Sequence, residues 1–477
     1  MKKLLFAVGL TALFALAADA GVKVSRSSIT FDSAPTAQDF TTAKQQFKGN
    51  LNHLRLRLSK CTDEGLAAAV KEFPGTVNLA IEKSPDLTSL QPLSALPLRE
   101  LALRDLPGVK TLAPLSACKT LKTLKISRVK FADADLMFCK QLASLHEMQI
   151  AYAPATFKSL NGLEGCTALS RFSLDNCSAD LSALKACVKL REVNLRYTKG
   201  LDLAPLAALP ALTNVSLYAS RSFDLAPLAG CAKLKEISVY ATKDVKDYNA
   251  LGQIKSLEKV NTGMTSMRDL SWAPQLPNLK KLRLFAETFD SFAPLANCAN
   301  LEELTFWNLR NAAVDAAQFA SLPLAKSLKE LSFSGTGVVN EAKLAVFTNL
   351  EELNLMYKNS RKGSPALDLA FASSLKNLEK LNVSRTSAPT NFSAIGSCVK
   401  LKVLWMAFPG ADFSVAAALP ALKRVTVLNA DNVITASMAE LVRELKEAGY
   451  GVYLLSNASY RQHEYWPRVP GNEYFDG

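Results

Sequence analysis

The amino-acid sequence predicts an α/β repeat fold: a curved solenoid with a parallel sheet on its concave side and a thin convex side. Three observations predict it. A six-residue pattern, L-x-x-L-x-L, recurs through most of the 477 residues, its copies lie at near-constant intervals, and a short segment that often contains proline separates them. With 49% hydrophobic and 21% charged residues, the composition excludes a disordered polyelectrolyte and a polytopic membrane protein.

The spacing of the pattern identifies the repeat. Two irregular copies, Leu51–Leu56 and Thr76–Ile81, precede the regular ones and bring the total to about 17 units. The first leucines of the regular copies, mostly 21 to 24 residues apart, are Leu98, Leu121, Leu145, Leu169, Leu190, Leu212, Leu234, Leu257, Leu279, Leu301, Leu328, Leu350, Leu378, Leu401 and Leu422. This period with this leucine spacing is the signature of leucine-rich repeats.

The x-L-x-L part of each copy predicts a short strand. Its apolar residues alternate with a period of two, so one face of the strand is buried and the other is exposed. Because every copy follows the same path, the strands stack in parallel, about 4.8 Å apart. The residues between the leucines therefore form the concave surface.

The second half of each repeat predicts a short turn. Proline recurs in Leu90–Leu93, Leu112–Leu115, Leu203–Leu206, Leu225–Leu228 and Phe292–Leu295. Proline lacks an amide donor and fixes φ, which favours a turn or the start of a 3-10 helix over a long helix. The convex side is therefore predicted to be thin.

The repeats resemble those of the bacterial internalin-type leucine-rich-repeat family, which follow D-x-x-P-L-x-x-L-x-x-L-x-x-L-x-L. Asp224–Val239 carries this pattern, and the resemblance covers nearly all of residues 87–430. It implies a binding surface without naming a partner. The chain departs from the family where Asn usually follows the strand, and we expect its hydroxyl side chains to form an altered hydrogen-bond ladder there. These residues are Thr198, Ser220, Thr242, Thr336 and Thr386.

The amino terminus indicates export. Lys2 and Lys3 precede an apolar run, Leu4–Ala17, and an A-x-A-like site predicts cleavage after Ala20. The alternative is a membrane anchor, but this run is shorter than the roughly 20 residues that a bilayer-spanning helix needs. We expect a protein that is secreted, at the cell surface or in the periplasm, without an integral membrane segment after signal removal.

The irregular segments set the predicted boundaries. Longer repeat intervals predict insertions around Asn311–Gln318 and Lys358–Pro365. We expect a helix over Thr62–Phe73, a helix from Ser437 to about Glu447, and a final strand at Val452–Leu455. The predicted domains are a signal peptide (1–20), an amino-terminal cap with an irregular first repeat (21–75), the solenoid (76–434), a helix-strand cap (435–456) and a tail (457–477).

The cysteines favour a structural role. Six of them lie three residues before the first leucine of a repeat, where other units have Leu, Ile or Phe; they are Cys118, Cys166, Cys187, Cys231, Cys298 and Cys398. This pattern predicts a buried apolar slot that cysteine fills as a small hydrophobe. A disulfide between Cys166 and Cys187 remains an alternative.

No motif in the chain indicates catalysis. The common hydrolase, metalloprotease and nucleotide-binding patterns are missing, as are C-x-x-C and paired histidines. His463 and Glu464 are adjacent, but in a polar tail such residues are more often solvated than catalytic. We therefore predict no enzymatic activity, no catalytic residue, no metal site and no cofactor.

Aromatic residues recur on the predicted concave surface, at or next to the site three residues past the second leucine. Some of them could instead lean into the edge of the core. A contiguous set on one face is more typical of a contact surface, where Tyr and Trp dominate the binding energy. The predicted ligand-binding residues are Tyr197, Tyr218, Tyr240, Phe285, Trp307, Tyr357 and, one strand site earlier, Trp405; Tyr152 shares the pattern.

An acidic row accompanies the aromatic residues, two positions after the first leucine of many repeats. It consists of Glu100, Glu147, Glu192, Glu236, Glu303, Glu330 and Glu352. The simplest explanation is that these charges keep the sheet soluble. Although the net charge is +13, glutamates mixed with arginines argue against a nucleic-acid groove.

These features favour a recognition protein that binds a protein partner through the concave face. Binding energy is expected to concentrate in Tyr218, Tyr240, Phe285 and Trp307. The alternative is a cell-envelope or host glycan or another acidic polymer, because aromatic faces stack on sugar rings and a basic chain attracts polyanions.

Overall fold

The structure is a computed structural model that describes residues 21–50, 53–311, 313–356, 366–383, 389–406 and 419–429, with 415, 443, 446–447, 449 and 451–456. The chain divides into two compact units. The first consists of Met1–Leu234 and Thr242–Lys246, and the second of Lys235–Ala241 and Asp247–Gly477.

The first unit is built on a parallel sheet. β1 pairs with β2 in antiparallel fashion, and each strand from β2 to β9 pairs in parallel with the next. Equivalent residues of successive repeats face each other directly, as in the Val215–Val193 and Leu217–Leu195 pairs. The strands are β1 (Val22–Val24), β2 (Ser28–Phe31), β3 (Arg55–Ser59), β4 (Asn78–Glu82), β5 (Glu100–Leu106), β6 (Thr123–Val129), β7 (Glu147–Ala151), β8 (Arg171–Asp175), β9 (Glu192–Arg196) and β10 (Asn214–Tyr218).

The second unit repeats this arrangement. Its main strands pair in parallel in chain order, while β15 and β17 form a separate two-stranded sheet. The latter contains part of the insertion predicted at Asn311–Gln318. The strands are β11 (Glu236–Tyr240), β12 (Lys259–Gly263), β13 (Lys281–Phe285), β14 (Glu303–Trp307), β15 (Val314–Asp315), β16 (Glu330–Ser334), β17 (Val338–Val339), β18 (Glu352–Asn354), β19 (Lys380–Asn382), β20 (Val403–Met406), β21 (Arg424–Asn429) and β22 (Gly451–Ser456).

Two helices cover the start of the first unit. Thr36 and Asp39 form a capping box at the beginning of the first helix, and the Thr62 side chain accepts from the Gly65 amide at the beginning of the second. The helices are α1 (Ala37–Gln46), α2 (Asp63–Glu72), α3 (Ala204–Ala207) and α4 (Leu322–Ser327).

Of the helices that the structure describes, none combines the length and apolar character that crossing a bilayer requires.

Short 3-10 helices connect most strands on the opposite side of each unit. The Asp224 carboxylate accepts from the Ala226 amide at 2.8 Å just before the proline, which explains the aspartate of the repeat pattern. The 3-10 segments are Gln91–Ala95, Ala113–Ala117, Met137–Gln141, Leu163–Gly165, Ser182–Ala186, Ala226–Gly230, Tyr248–Gln253, Ala273–Gln275, Ala293–Asn297, Ala316–Gln318, Glu341–Val346, Ala370–Ser374 and Phe392–Ser397.

The cysteines of the repeats are buried free thiols. All six residues of the predicted slot are buried, and each remains reduced in the structure. Cys166 and Cys187 are therefore not bridged. Each of these two thiols points to a carbonyl of the preceding repeat, Cys166 Sγ to Cys139 O at 3.4 Å and Cys187 Sγ to Leu163 O at 3.5 Å.

The hydroxyl residues that replace Asn after the strands are buried where the structure describes them, and three of them form hydrogen bonds between repeats. Thr198 Oγ1 donates to Ser220 Oγ at 2.8 Å, and Ser220 Oγ donates to the Leu195 carbonyl at 3.1 Å. Thr336 Oγ1 accepts from the Leu309 amide at 3.0 Å. The chain thus keeps a polar ladder between successive repeats with hydroxyls in place of amides.

Several expectations fall outside the described residues. These are the signal peptide at 1–20, the insertion at 358–365, Thr386, and the tail at 457–477. Only single positions of the predicted helix from Ser437 to Glu447 are described.

Candidate interaction surface

The exposed face of the sheet is formed by alternate residues of each strand. In β10, Val215 and Leu217 are buried, whereas Asn214, Ser216 and Tyr218 are partly exposed. The outward residues form three rows across the strands, which we call the first, middle and last row in the direction of the chain. Each row brings together side chains that are about 20 to 28 residues apart in sequence.

The last row of the second unit contains an exposed aromatic cluster, defined as Tyr240, Phe285 and Trp307. The cluster lies on β11, β13 and β14, with Gly263 of β12 at the matching position. The ring centroids of Tyr240 and Phe285 are 6.2 Å apart, and those of Phe285 and Trp307 are 5.2 Å apart. Trp307 is 47% exposed. The three rings therefore form one continuous aromatic surface in contact with solvent.

Gly263 allows this cluster to form. A Cβ atom at this position would lie 2.4 Å from Phe285 Cβ and 3.0 Å from Tyr240 Cε2. The next residue, Met264, is 43% exposed, and its Sδ accepts from the Tyr240 hydroxyl at 3.0 Å. Sequence reasoning did not single out Gly263 or Met264, although a glycine at the end of a strand signals a close approach of neighbours.

The first unit carries a tyrosine pair, defined as Tyr197 and Tyr218. Their ring centroids are 5.5 Å apart at an interplanar angle of 72°, an edge-to-face arrangement. The Arg196 guanidinium lies 5.0 Å from the Tyr218 ring centroid. A hydrogen bond with Tyr218, followed by its electrostatic influence, raises the pKa of the Tyr197 hydroxyl.

The expectation of a single aromatic column is corrected by the structure. Tyr218 ends its strand in the last row of the first unit, but Tyr197 and Tyr152 each follow a strand with left-handed backbone, φ 51° and 52°. A left-handed residue turns the chain, so its side chain leaves the row. Trp405 lies in the middle row opposite Asn382, one strand site earlier as expected from sequence, and Tyr357 lies outside the described residues.

The glutamates of the first row are largely paired with cations on neighbouring strands. The sequence explained these glutamates only as charges that keep the sheet soluble. The structure shows that ion pairs also fix their side chains. The nitrogen–oxygen distances are 3.4 Å for Lys125–Glu147, 2.6 Å for Arg171–Glu147, 2.8 Å for Lys259–Glu236, 2.8 Å for Lys281–Glu303 and 2.9 Å for Lys380–Glu352.

Glu303 is the most enclosed of these carboxylates, with 5% of the residue exposed. It accepts from Arg283 Nε at 2.7 Å as well as from Lys281. Burial by itself raises the pKa of Glu303, but the hydrogen bonds and charges of Lys281 and Arg283 lower it below its usual value. The opposite occurs at Glu330, where burial and the adjacent Glu303 and Glu352 raise the pKa.

The described sheet face offers grooves. A groove of about 520 Å³ in the first unit is lined by residues that include Glu192, Asn194, Arg196, Ser216 and Tyr218. Among the residues that the structure describes, no group of three or more His, Cys, Asp and Glu side chains could hold a metal ion. The arrangement can contact a ligand through aromatic, amide and charged groups.

The fold has clear counterparts among solved structures. A structure of a TLR13–ssRNA13 complex aligns with 88% of this chain and 62% of its own, with a TM-score of 0.62 and 16% identity. The chain therefore has a leucine-rich-repeat fold. This confirms the predicted fold class, an α/β repeat solenoid with a parallel sheet and short segments opposite it.

Two other matches are bacterial proteins. An internalin of Listeria monocytogenes shares 19% identity over 74% of this chain and 88% of its own, with a TM-score of 0.43. A leucine-rich-repeat protein of Leptospira interrogans shares 16% identity over 88% and 93%, with a TM-score of 0.47. No protein-family model and no curated protein matches the chain.

Proposed function

We propose that this leucine-rich-repeat protein is an exported, non-enzymatic recognition protein that binds a protein partner through the exposed face of its sheet. The observation that carries this proposal is the aromatic cluster of Tyr240, Phe285 and Trp307. Its rings are in mutual contact and accessible, and a contiguous exposed apolar patch marks a contact site.

The surroundings of the aromatic cluster favour a protein partner. Tyr and Trp are the residues that most often dominate binding energy, and they do so when polar groups surround them and exclude water. Phe285 and Trp307 share β13 and β14 with Lys281, Arg283 and Glu303, which form such a polar surround. Because these charges already satisfy each other, a partner can cover them without leaving an unpaired carboxylate.

Export and the non-enzymatic assignment rest on separate observations. Export is supported by the signal-peptide pattern of residues 1–20. An exported protein resides at the cell surface, in the periplasm or in the medium. The non-enzymatic assignment is supported by the lack of common catalytic motifs in the sequence. No cofactor enters this function.

A nucleic-acid partner is less compatible with the sheet face. The TLR13 structure is a complex with ssRNA13, so the fold accommodates such a ligand in that protein. In this chain, Glu147, Glu236, Glu303 and Glu352 lie in the first row, each paired with a neighbouring cation. A phosphate backbone is bound by an uninterrupted basic stripe, which this row does not provide.

The test is capture and affinity measurement with residues 21–477. Proteins retained from cell-envelope extract and from host-cell lysate are identified, and the purified partner is titrated by calorimetry. Replacing Tyr240 and Trp307 with Ala should weaken binding by about 2 kcal/mol or more, roughly 30-fold. The matched control is Leu322→Ala on α4, which removes a 72% exposed side chain outside the sheet face.

Two results would remove this proposal. Affinity that stays unchanged in a folded Tyr240→Ala/Trp307→Ala variant would exclude the aromatic cluster as the contact surface. Capture that survives protease treatment of the extract, is lost when its polysaccharide is removed and is weakened by Tyr240→Ala/Trp307→Ala would favour the glycan alternative at this surface. A steep loss of binding with increasing salt would point the same way, because polyanion binding is screened by ions.

A further inference from the structure

Three cations lie in register beyond the strand ends of the first unit. Lys199, Arg221 and Lys243 occupy equivalent positions in three successive repeats and are joined by parallel bridges, Lys199 to Arg221 and Arg221 to Lys243. All three residues are exposed. We call this set the cation ladder.

The backbone holds the cation ladder at a fixed spacing. The Arg221 amide donates to the Thr198 carbonyl at 2.9 Å, and the Lys243 amide donates to the Ser220 carbonyl at 3.2 Å. Thr198 and Ser220 are themselves buried and hydrogen-bonded to each other. The backbones of the three cations are therefore spaced like adjacent parallel strands, about 4.8 Å apart.

The cation ladder lacks the acidic partners that other cations have. Arg196 lies 3.9 Å from Asp175 and Lys246 lies 3.3 Å from Asp224, whereas none of the described carboxylates is within ion-pair distance of the ladder. This includes Asp244, which follows Lys243 directly in the chain. Three like charges at this spacing repel one another, so an anion that bridges them would relieve the repulsion.

Aromatic and hydrogen-bonding groups lie near the cation ladder. Tyr197 precedes Lys199 by two residues and Tyr218 precedes Arg221 by three, so their α-carbons are within about 7 and 11 Å. Tyr218 also lines the groove of the first unit with Glu192, Asn194 and Ser216. Carboxylate, amide and hydroxyl groups bind sugar hydroxyls, and a tyrosine face packs against the apolar face of a sugar ring.

We propose that the cation ladder and the tyrosine pair bind a linear acidic polysaccharide, a chain of uronic acids with one carboxylate on each ring. A pyranose ring is about as long as the distance between neighbouring strands, so successive carboxylates can meet successive cations. Single-stranded nucleic acid offers fewer hydroxyls for Glu192 and Asn194, and its phosphates would face the Glu192 carboxylate. This site goes beyond the proposed protein-binding function and does not rest on it.

The test uses a hexamer of galacturonic acid titrated into residues 21–477 by calorimetry. The triple variant Lys199→Gln/Arg221→Gln/Lys243→Gln should bind about tenfold or more weakly, because it removes the charges that face the carboxylates. The matched control, Lys119→Gln/Lys189→Gln/Lys233→Gln, removes the same net charge from exposed positions on the 3-10 side and should change affinity less than about twofold. Circular dichroism establishes that both variants are folded.

Further measurements separate the possible outcomes. A fully methyl-esterified hexamer should bind weakly, since it keeps the rings and loses the charges. Replacing Tyr197 and Tyr218 with Ala should also weaken binding of the hexamer. Tyr240→Ala/Trp307→Ala should leave the affinity for the hexamer unchanged, because these residues belong to the separate protein-binding surface. Three outcomes would each overturn the proposal. They are an equal loss of affinity in both triple variants, no binding of the hexamer, and tighter binding of a single-stranded RNA of matched charge.

Discussion

Tyr240 and Phe285 lie two strands apart, yet their ring centroids are only 6.2 Å apart because the strand between them presents Gly263 at the facing position. Any other residue there would place a side chain between the two rings. The geometry of the aromatic cluster is therefore set by a residue that contributes no side chain of its own.

Replacing Gly263 with Ala should disrupt this arrangement. The added Cβ would meet Phe285 Cβ at 2.4 Å and the Phe285 carbonyl oxygen at 2.8 Å, so the strands must separate. We expect a loss of about 1–3 kcal/mol in the free energy of unfolding, measured by urea denaturation. Gly396→Ala in the same unit is the control, because its Cβ would approach only Val415 Cγ1, at 3.2 Å. Equal stability of the two variants would contradict this explanation.

Glu303 should stabilise the second unit through its two cations. Glu303→Gln keeps the shape but weakens the interaction with Lys281 and Arg283, and we expect a loss of about 1–2 kcal/mol at pH 7. Because the pKa of Glu303 is lowered in the folded state, this contribution is present above about pH 4.3 and is lost as pH falls through the folded pKa. Glu352→Gln, whose carboxylate is more exposed and pairs with Lys380, should cost less than about 0.5 kcal/mol.

Glu287 should show the opposite pH dependence. It is buried at the position where other repeats carry a hydroxyl residue, and burial raises the pKa of its carboxyl despite hydrogen bonds from Thr265 and the charge of Arg310. Its contribution is therefore fully present below about pH 4.3 and is lost as pH rises through the folded pKa. Urea denaturation should find Glu287→Gln more stable than the native chain at pH 7, with the difference vanishing near pH 4. If Glu287→Gln were less stable than the native chain by the same amount at every pH, this explanation would be contradicted.

The nine cysteines should react slowly with thiol reagents in the folded protein. Burial raises the pKa of Cys118, Cys231 and Cys398 to about 11 and that of Cys187 and Cys298 to about 12, so little thiolate forms at pH 8. Ellman's reagent should detect all nine only after unfolding. Cys177 is partly exposed whereas the other eight are buried, so it should react first, and Cys177→Ser should remove that early phase. Rapid reaction of several thiols in the native protein would contradict the buried slot.

Much of the fold could be predicted because each repeat specifies its local structure with its own residues. In one repeat, Asp224 and Pro227 specify a 3-10 turn, and the alternation of Ile237 and Val239 with polar residues specifies a strand. The amino-terminal elements β1, β2 and α1 were not predicted, because a cap follows no repeat pattern. The direction of the Tyr197 side chain had no sequence signal for another reason: the left-handed residue after each strand varies in type from repeat to repeat.

The sequence by itself determined the repeat, its parallel strands and the outward positions, because these depend on a periodicity within about ten residues. The tertiary structure decided which outward side chains meet. Tyr240 with Phe285 over Gly263, Glu303 with Lys281, and Lys199 beside Arg221 are all contacts between different repeats. Such contacts depend on register and side-chain direction, which a pattern within one repeat does not contain.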